Sequence, residues 1–132
     1  MNDRFKFRLW AKDIEMYFKG PLIYINTDGK LVAEDGIKVY EIDQKAYIIE
    51  QCTGLKDKNG KLIYEGDIIY SPFDNGTKKV IFWDNYLARF MAYNRYPDKR
   101  YYQGLSSKYF IELEFEVIGN IHENADLLGE DK

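Results

Sequence analysis

Gln51-Cys52-Thr53-Gly54-Leu55-Lys56-Asp57-Lys58-Asn59-Gly60-Lys61-Leu62-Ile63-Tyr64-Glu65-Gly66-Asp67-Ile68-Ile69-Tyr70 is the stretch whose reading decides the fold. Asn59-Gly60 is expected to take the two positive φ angles of a type I′ turn, whose twist matches that of its flanking strands. Gly54 and Gly66 add positions free of a Cβ clash, and the Asp57 carboxylate can accept from backbone two residues on. Ile68-Ile69-Tyr70 then starts a run that reads as strand. The stretch therefore folds one strand back and launches the next. Its turn residues Gly54, Asp57, Asn59, Gly60, Glu65, Gly66 and Asp67 specify backbone shape, and they form no recognisable catalytic grouping.

Composition agrees with a β chain. Of 132 residues 17% are aromatic, with 12 Tyr, and such side chains favour the pleated, half-buried surface of a sheet. A chain of this length buries enough surface to fold without a disulfide or a metal. Cys52 is the only cysteine, which excludes an intrachain disulfide and a multi-cysteine zinc site. The residues after Met1 are charged and alternating, with no apolar core of a secretory signal. No apolar run approaches the roughly 18 residues that span a bilayer. A cytosolic protein is the expectation.

The net charge of −3 is too small for a chain-wide attraction to nucleic acid or anionic membrane, but it is unevenly spread. Arg89, Arg95, Lys99, Arg100 and Lys108 make Trp83 to Phe110 basic. Glu112, Glu114, Glu116, Glu123, Asp126, Glu130 and Asp131 make Ile111 to Lys132 acidic. Such blocks can pair within one fold or meet across neighbouring copies.

Read outward from the central stretch, the chain alternates and turns throughout. Arg4 to Trp10 places Phe5, Phe7 and Leu9 on one face of a strand, with a hairpin across Asp13. Leu22 to Asn26, the Asp28-Gly29 turn and Leu31 to Ala33 make a second hairpin. Ile37 to Ile42 and Tyr47 to Cys52 read as strands. So do Lys78 to Trp83 and Tyr86 to Tyr93, although Leu87 to Met91 also suits a short helix. Asn94 to Ser107 lacks period and reads as a long exposed loop. Phe110 to Ile118 alternates Ile111, Leu113, Phe115 and Val117 against Glu112, Glu114 and Glu116, and reads as an amphipathic strand.

Eight to ten short strands at intervals of about ten residues suggest a sandwich or barrel. The expected fold is mainly β with little helix, in two intimately packed β subdomains. Residues 1-53 form an N-terminal hairpin subdomain. Residues 54-132 have the strand rhythm of a small SH3-like barrel, opened by Gly66-Asp67-Ile68-Ile69 and closed by Phe115 to Ile121.

Three stretches, in order along nearly the whole chain, resemble the YopX family of phage and prophage proteins. They are Phe5-Lys6-Phe7-Arg8-Leu9-Trp10; Thr53 to Gly60 with Ile63-Tyr64-Glu65-Gly66-Asp67-Ile68; and Glu116-Val117-Ile118-Gly119-Asn120-Ile121-His122-Glu123-Asn124. His122 stands where the family usually has Tyr, and Ala125 where Pro is common. The resemblance implies a mainly β fold and a gene carried by a phage or an integrated element of a bacterial host. It implies no agreed activity.

The candidate sites divide accordingly. Asp57-Lys58-Asn59-Gly60 is superficially similar to a calcium loop, but Lys61, Leu62 and Ile68 occupy the positions where such a loop needs an oxygen ligand, Gly and Glu. Glu65, Asp67 and His122 could serve acid–base chemistry only in a pocket that splits their pKa values, and a capping role for Asp67 is the alternative. No cofactor or metal is expected. Arg89, Arg95, Tyr96, Arg100, Tyr101 and Tyr102 interleave cations with aromatic rings. That pattern suits a protein contact or homo-oligomer, and equally a groove on which bases stack. The expectation is a non-enzymatic protein-binding or self-assembling module, with nucleic-acid binding as the alternative.

Overall fold

The structure, a computed structural model, describes residues 6–18, 22–34, 36–74, 76–96 and 99–129, and for residues 22, 95, 96 and 99–101 the backbone alone. The described residues are mainly strand, as expected, and their contacts divide the chain into two units, Met1–Cys52 and Thr53–Lys132.

In the first unit β1 (Phe7–Ala11) pairs antiparallel with β2 (Met16–Tyr17) and with β6 (Tyr47–Lys56), a strand that runs on into the second unit. The strands β3 (Leu22–Ile25), β4 (Leu31–Glu34) and β5 (Val39–Glu41) form a three-stranded antiparallel sheet. Alternation along β1 carries through to packing. Leu9 is fully buried and clusters with Leu31, Ala33 and Ile42, with Phe7 against them. On the other face Arg8 lies opposite Glu50 in register, and its Nε donates to Glu50 Oε1 at 2.7 Å. The Tyr17 hydroxyl donates to the same oxygen at 2.9 Å, and the Arg8 guanidinium lies 4.6 Å over the Tyr17 ring. A carboxylate that is only 3% exposed is thus held by a cation and a hydroxyl, the pairing that burial of charge requires.

In the second unit the end of β6 leads through the Asp57–Gly60 turn to β7 (Leu62–Tyr64). A sheet follows in the order β11-β10-β9-β8-β12, all antiparallel, made of β8 (Asp67–Tyr70), β9 (Lys78–Asp84), β10 (Arg89–Tyr96), β11 (Lys99–Gly104) and β12 (Glu116–Asn120). Four strands meander and the fifth returns beside the first. One face carries Ile69, Ile81 and Ala92, which pack with Ile63, Phe110 and Phe115 into the core.

Three sequence expectations are corrected. Asn94 to Ser107 is not a long loop: β10 and β11 pair from Met91↔Gly104 to Tyr96↔Lys99, a hairpin favoured by its tyrosines. Tyr86 to Ala88 is turn rather than strand or helix, and β10 starts only at Arg89. Phe110 to Ile118 is not one strand, because Ser107–Leu113 is helix α1. The Ser106 hydroxyl accepts from Tyr109 N at 3.2 Å at its start, and Glu114 ends it in the left-handed region at φ 51°. Over so few residues a period of two and an i, i+3, i+4 stripe use many of the same positions. The helix buries Phe110 with Tyr109 and Leu113 beside it, and leaves Ile111 outside.

Candidate interaction surface

The hairpin β9–β10 is shaped by Asp84. Its Oδ1 accepts from Tyr86 N at 2.8 Å and from Leu87 N at 3.3 Å, which fixes the tip, and Ala88 completes the reversal at φ 53°. The tip projects Tyr86, 96% exposed, and Leu87, 54% exposed. Trp83 and Phe90, opposite each other in register, meet edge to face at 5.0 Å behind it.

Cross-strand register places Val80, Phe82, Met91, Tyr93, Tyr102 and Arg89 on the face of the sheet opposite the core. Val80 and Met91 are buried, Phe82 and Tyr93 half-buried, and Tyr102 is 58% exposed. Phe82 contacts Tyr93 at 5.5 Å and Tyr102 at 5.8 Å between ring centres, and the two tyrosines lie 6.1 Å apart. These rings hold one another in place, so the surface is ordered before anything binds it. Arg89 lies across β11 at Gly104, where a Cβ would stand 2.0 Å from its Nη2. A bare backbone at that position is what admits the guanidinium.

Of the residues selected from sequence, Arg89 and Tyr102 are brought to this one face. Arg95, Tyr96, Arg100 and Tyr101 lie on the β10–β11 hairpin, with Arg95 opposite Arg100 in register; their side chains fall outside the described residues. Trp83, Phe82 and Leu87 were not selected. The signal for them is an Asp-Asn turn followed at once by Tyr-Leu, which leaves apolar residues where a hairpin tip is usually polar.

The turn residues lie elsewhere in the second unit, each with a mechanical part. Asp57 is 7% exposed. Its Oδ1 accepts from Asn59 N at 2.8 Å and Lys61 N at 2.9 Å, and its Oδ2 from Val117 N at 3.0 Å, which ties the turn to β12. Gly60 alone in this turn has a positive φ, 83°, so the expected type I′ geometry at Asn59-Gly60 is replaced by a three-residue loop closed by glycine. Gly54 takes φ 85° within β6. Asp67 Oδ2 accepts from Tyr64 N at 2.8 Å across the Glu65-Gly66 turn, and Gly66 O accepts from Ile121 N at 2.9 Å. Asn120 Oδ1 accepts from His122 N and Glu123 N, and Asn124 Oδ1 from Asn120 N. Asn124 crowds Gly119 so closely that a Cβ there would meet its side chain at 2.5 Å.

Pairing of Asp67 with Asn120 brings Glu65, Asp67 and His122 to one end of the sheet, but none of the three lines either of two cavities in this unit. The larger cavity, about 470 Å³, is an open groove lined by Leu55, Lys56 and Lys58 on one side and Ser107, Phe110 and Ile111 on the other. Among the described residues no group of three or more His, Cys, Asp or Glu is placed to hold a metal ion. Buried Lys79, unmarked by the sequence reading, donates to Asp74, Gln103 and the Tyr109 hydroxyl, filling a polar niche beside the core. No helix among the described residues is long and apolar enough to cross a membrane.

Comparison with known proteins gives a family and a structural relative. No curated protein matches the chain. Among solved structures the chain is similar to protein EF1440 from Enterococcus faecalis, at 28% identity over 93% of this chain and 96% of that one, with a TM-score of 0.49. The model of the family described as YopX protein matches residues 6–129, nearly the whole chain. The chain belongs to the YopX family.

Proposed function

We propose that this protein is a non-enzymatic protein-binding or self-assembling module, an accessory product of a phage or prophage working in the bacterial cytoplasm. The observation that carries this reading is the exposure of large apolar side chains on one meander: Trp83 at 40%, Leu87 at 54%, Tyr102 at 58% and Tyr86 at 96%. Aromatic residues held rigid by their neighbours lose little freedom on binding, and they anchor most protein contacts. An SH3-like barrel for the second unit is supported by its strand order, in which β12 returns beside β8.

A second reading, nucleic-acid binding, is favoured by Arg89 and Tyr102 on one face, a cation and a ring on which a base could stack. Capture from a bacterial lysate by wild type and by a Tyr86→Ser/Leu87→Ser/Tyr102→Ser variant, each with and without nuclease, separates the two. The proposal expects a captured protein that resists nuclease and is lost with the variant. Capture abolished by nuclease supports the second reading, and equal capture by both chains removes the aromatic surface from either.

A further inference from the structure

We propose that an extended, acidic segment of a partner protein adds to the outer edge of β11 as a further strand of the second unit's sheet; this names the partner's chemistry and rests on the protein-binding reading above. β11 ends the sheet, and among the described residues no strand pairs with its outer side. Alternate residues of such an edge turn both N–H and C=O away from the sheet, a row of directed partners for another backbone. Edge strands are commonly blunted by shortness, a bulge or a proline. β11 has none of these: all six residues of Lys99–Gly104 pair with β10 without a register shift. It is also held from both sides. Gln103 Oε1 accepts from buried Lys79 on the core side, and Tyr102 stands against Phe82 and Tyr93 on the other. The edge is therefore ordered before a partner arrives, and little freedom is lost on pairing.

Charge selects the occupant. Arg89, Arg95, Lys99 and Arg100 belong to the β10–β11 hairpin, against Asp98 as its one acid. Arg95 lies opposite Arg100 in register, and like charges at directly opposite positions repel until an anion comes near. The exposed Arg89 reaches across to Gly104, where its guanidinium occupies the place of the missing side chain and so lies over the edge strand. A second copy would set the same cations edge to edge, the arrangement by which charged edges keep sheets apart. A strand that carries carboxylates removes that repulsion. With a period of two, the acids of an alternating strand all lie on the face that carries Arg89 and Tyr102.

Fluorescence anisotropy with the full chain tests it on three labelled probes: a peptide of alternating glutamate and valine, its lysine–valine counterpart, and the glutamate peptide N-methylated at every residue. The glutamate peptide is expected to bind about tenfold or more tighter than the lysine peptide. N-methylation removes the backbone donors and should abolish binding. Arg89→Glu, at an exposed position, should weaken the glutamate peptide about tenfold and strengthen the lysine peptide. Amides of β11 should gain protection from hydrogen exchange in the complex, an outcome that needs no variant. No binding of the glutamate peptide, no preference for it over the lysine peptide, survival of N-methylation, or indifference to Arg89→Glu overturns the proposal. So does β11 protection that rises with protein concentration alone, which assigns the edge to a second copy. Protection given only by a single-stranded oligonucleotide overturns it too, and assigns the edge to nucleic acid. If nuclease-resistant capture through the aromatic surface stands while the glutamate peptide does not bind, this inference fails and the protein-binding reading survives; absence of both results removes both.

Discussion

Two hairpin turns, one in each unit, have the same backbone and different reach. Asn26-Thr27-Asp28-Gly29-Lys30 and Asp57-Lys58-Asn59-Gly60-Lys61 each close a three-residue loop with one left-handed glycine, at φ 78° and 83°. In each, the first residue's N–H donates to the lysine carbonyl and the glycine N–H donates back to the first residue. The side-chain oxygen matches too: Asn26 Oδ1 accepts from Asp28 N and Lys30 N, both at 3.0 Å, as Asp57 Oδ1 does from Asn59 N and Lys61 N. The difference lies in the second side-chain atom. Asp57 offers another oxygen, which takes the Val117 N–H of β12, while an asparagine there has only a donor to present. A local turn needs one acceptor; a turn that also anchors a distant strand needs two. The carboxylate at position 57 is therefore a tertiary tie.

That contrast can be broken most forcefully by truncation. Asp57→Ala leaves three amides without their acceptor, one of them on another strand, and should cost about 3 kcal/mol in urea unfolding, against about 1 kcal/mol for Asn26→Ala. Exchanging the two side chains comes next. Asp57→Asn keeps one oxygen and turns an amide donor towards either Val117 N–H or the turn, so about 2 kcal/mol should be lost. Asn26→Asp keeps the acceptor its turn uses and should stay within about 0.5 kcal/mol of wild type. The smallest contrast belongs to the glycines. A Cβ at Gly29 or Gly60 meets nothing within 4 Å, so each alanine carries only the left-handed backbone penalty, about 1 kcal/mol, and the two should agree. A clear inequality between them would show that the turns differ in backbone as well as in side chain.

The hairpins were legible because their glycines and flanking alternation are local signals. Their turn type was not, since the Asx oxygen at the first position captures amides that a type I′ turn would orient elsewhere. Helix α1 was hidden for a related reason. Ile111, Leu113, Phe115 and Val117 alternate cleanly, and only the Ser106 cap with the left-handed Glu114 marks the helix, neither of which shows in a hydrophobic pattern. Misreading α1 also concealed Ile111, which an amphipathic strand would have buried and which the helix leaves exposed. Arg89 and Tyr102 were found from composition. Their convergence depends on the register Met91↔Gly104, which no local signal encodes. The Arg8–Glu50 pair and the reach of Lys79 to Gln103 and Tyr109 were likewise illegible, since each joins residues distant in the chain.

Amide hydrogen exchange at Val117, compared between wild type and Asp57→Asn, tests most directly whether the central motif is a structural tie. Val117 should lose protection by about tenfold or more in the variant, while Asp28 and Lys30 in the other turn keep theirs. Unchanged protection at Val117 would contradict the tie and return Asp57 to the list of residues whose purpose is still to be found.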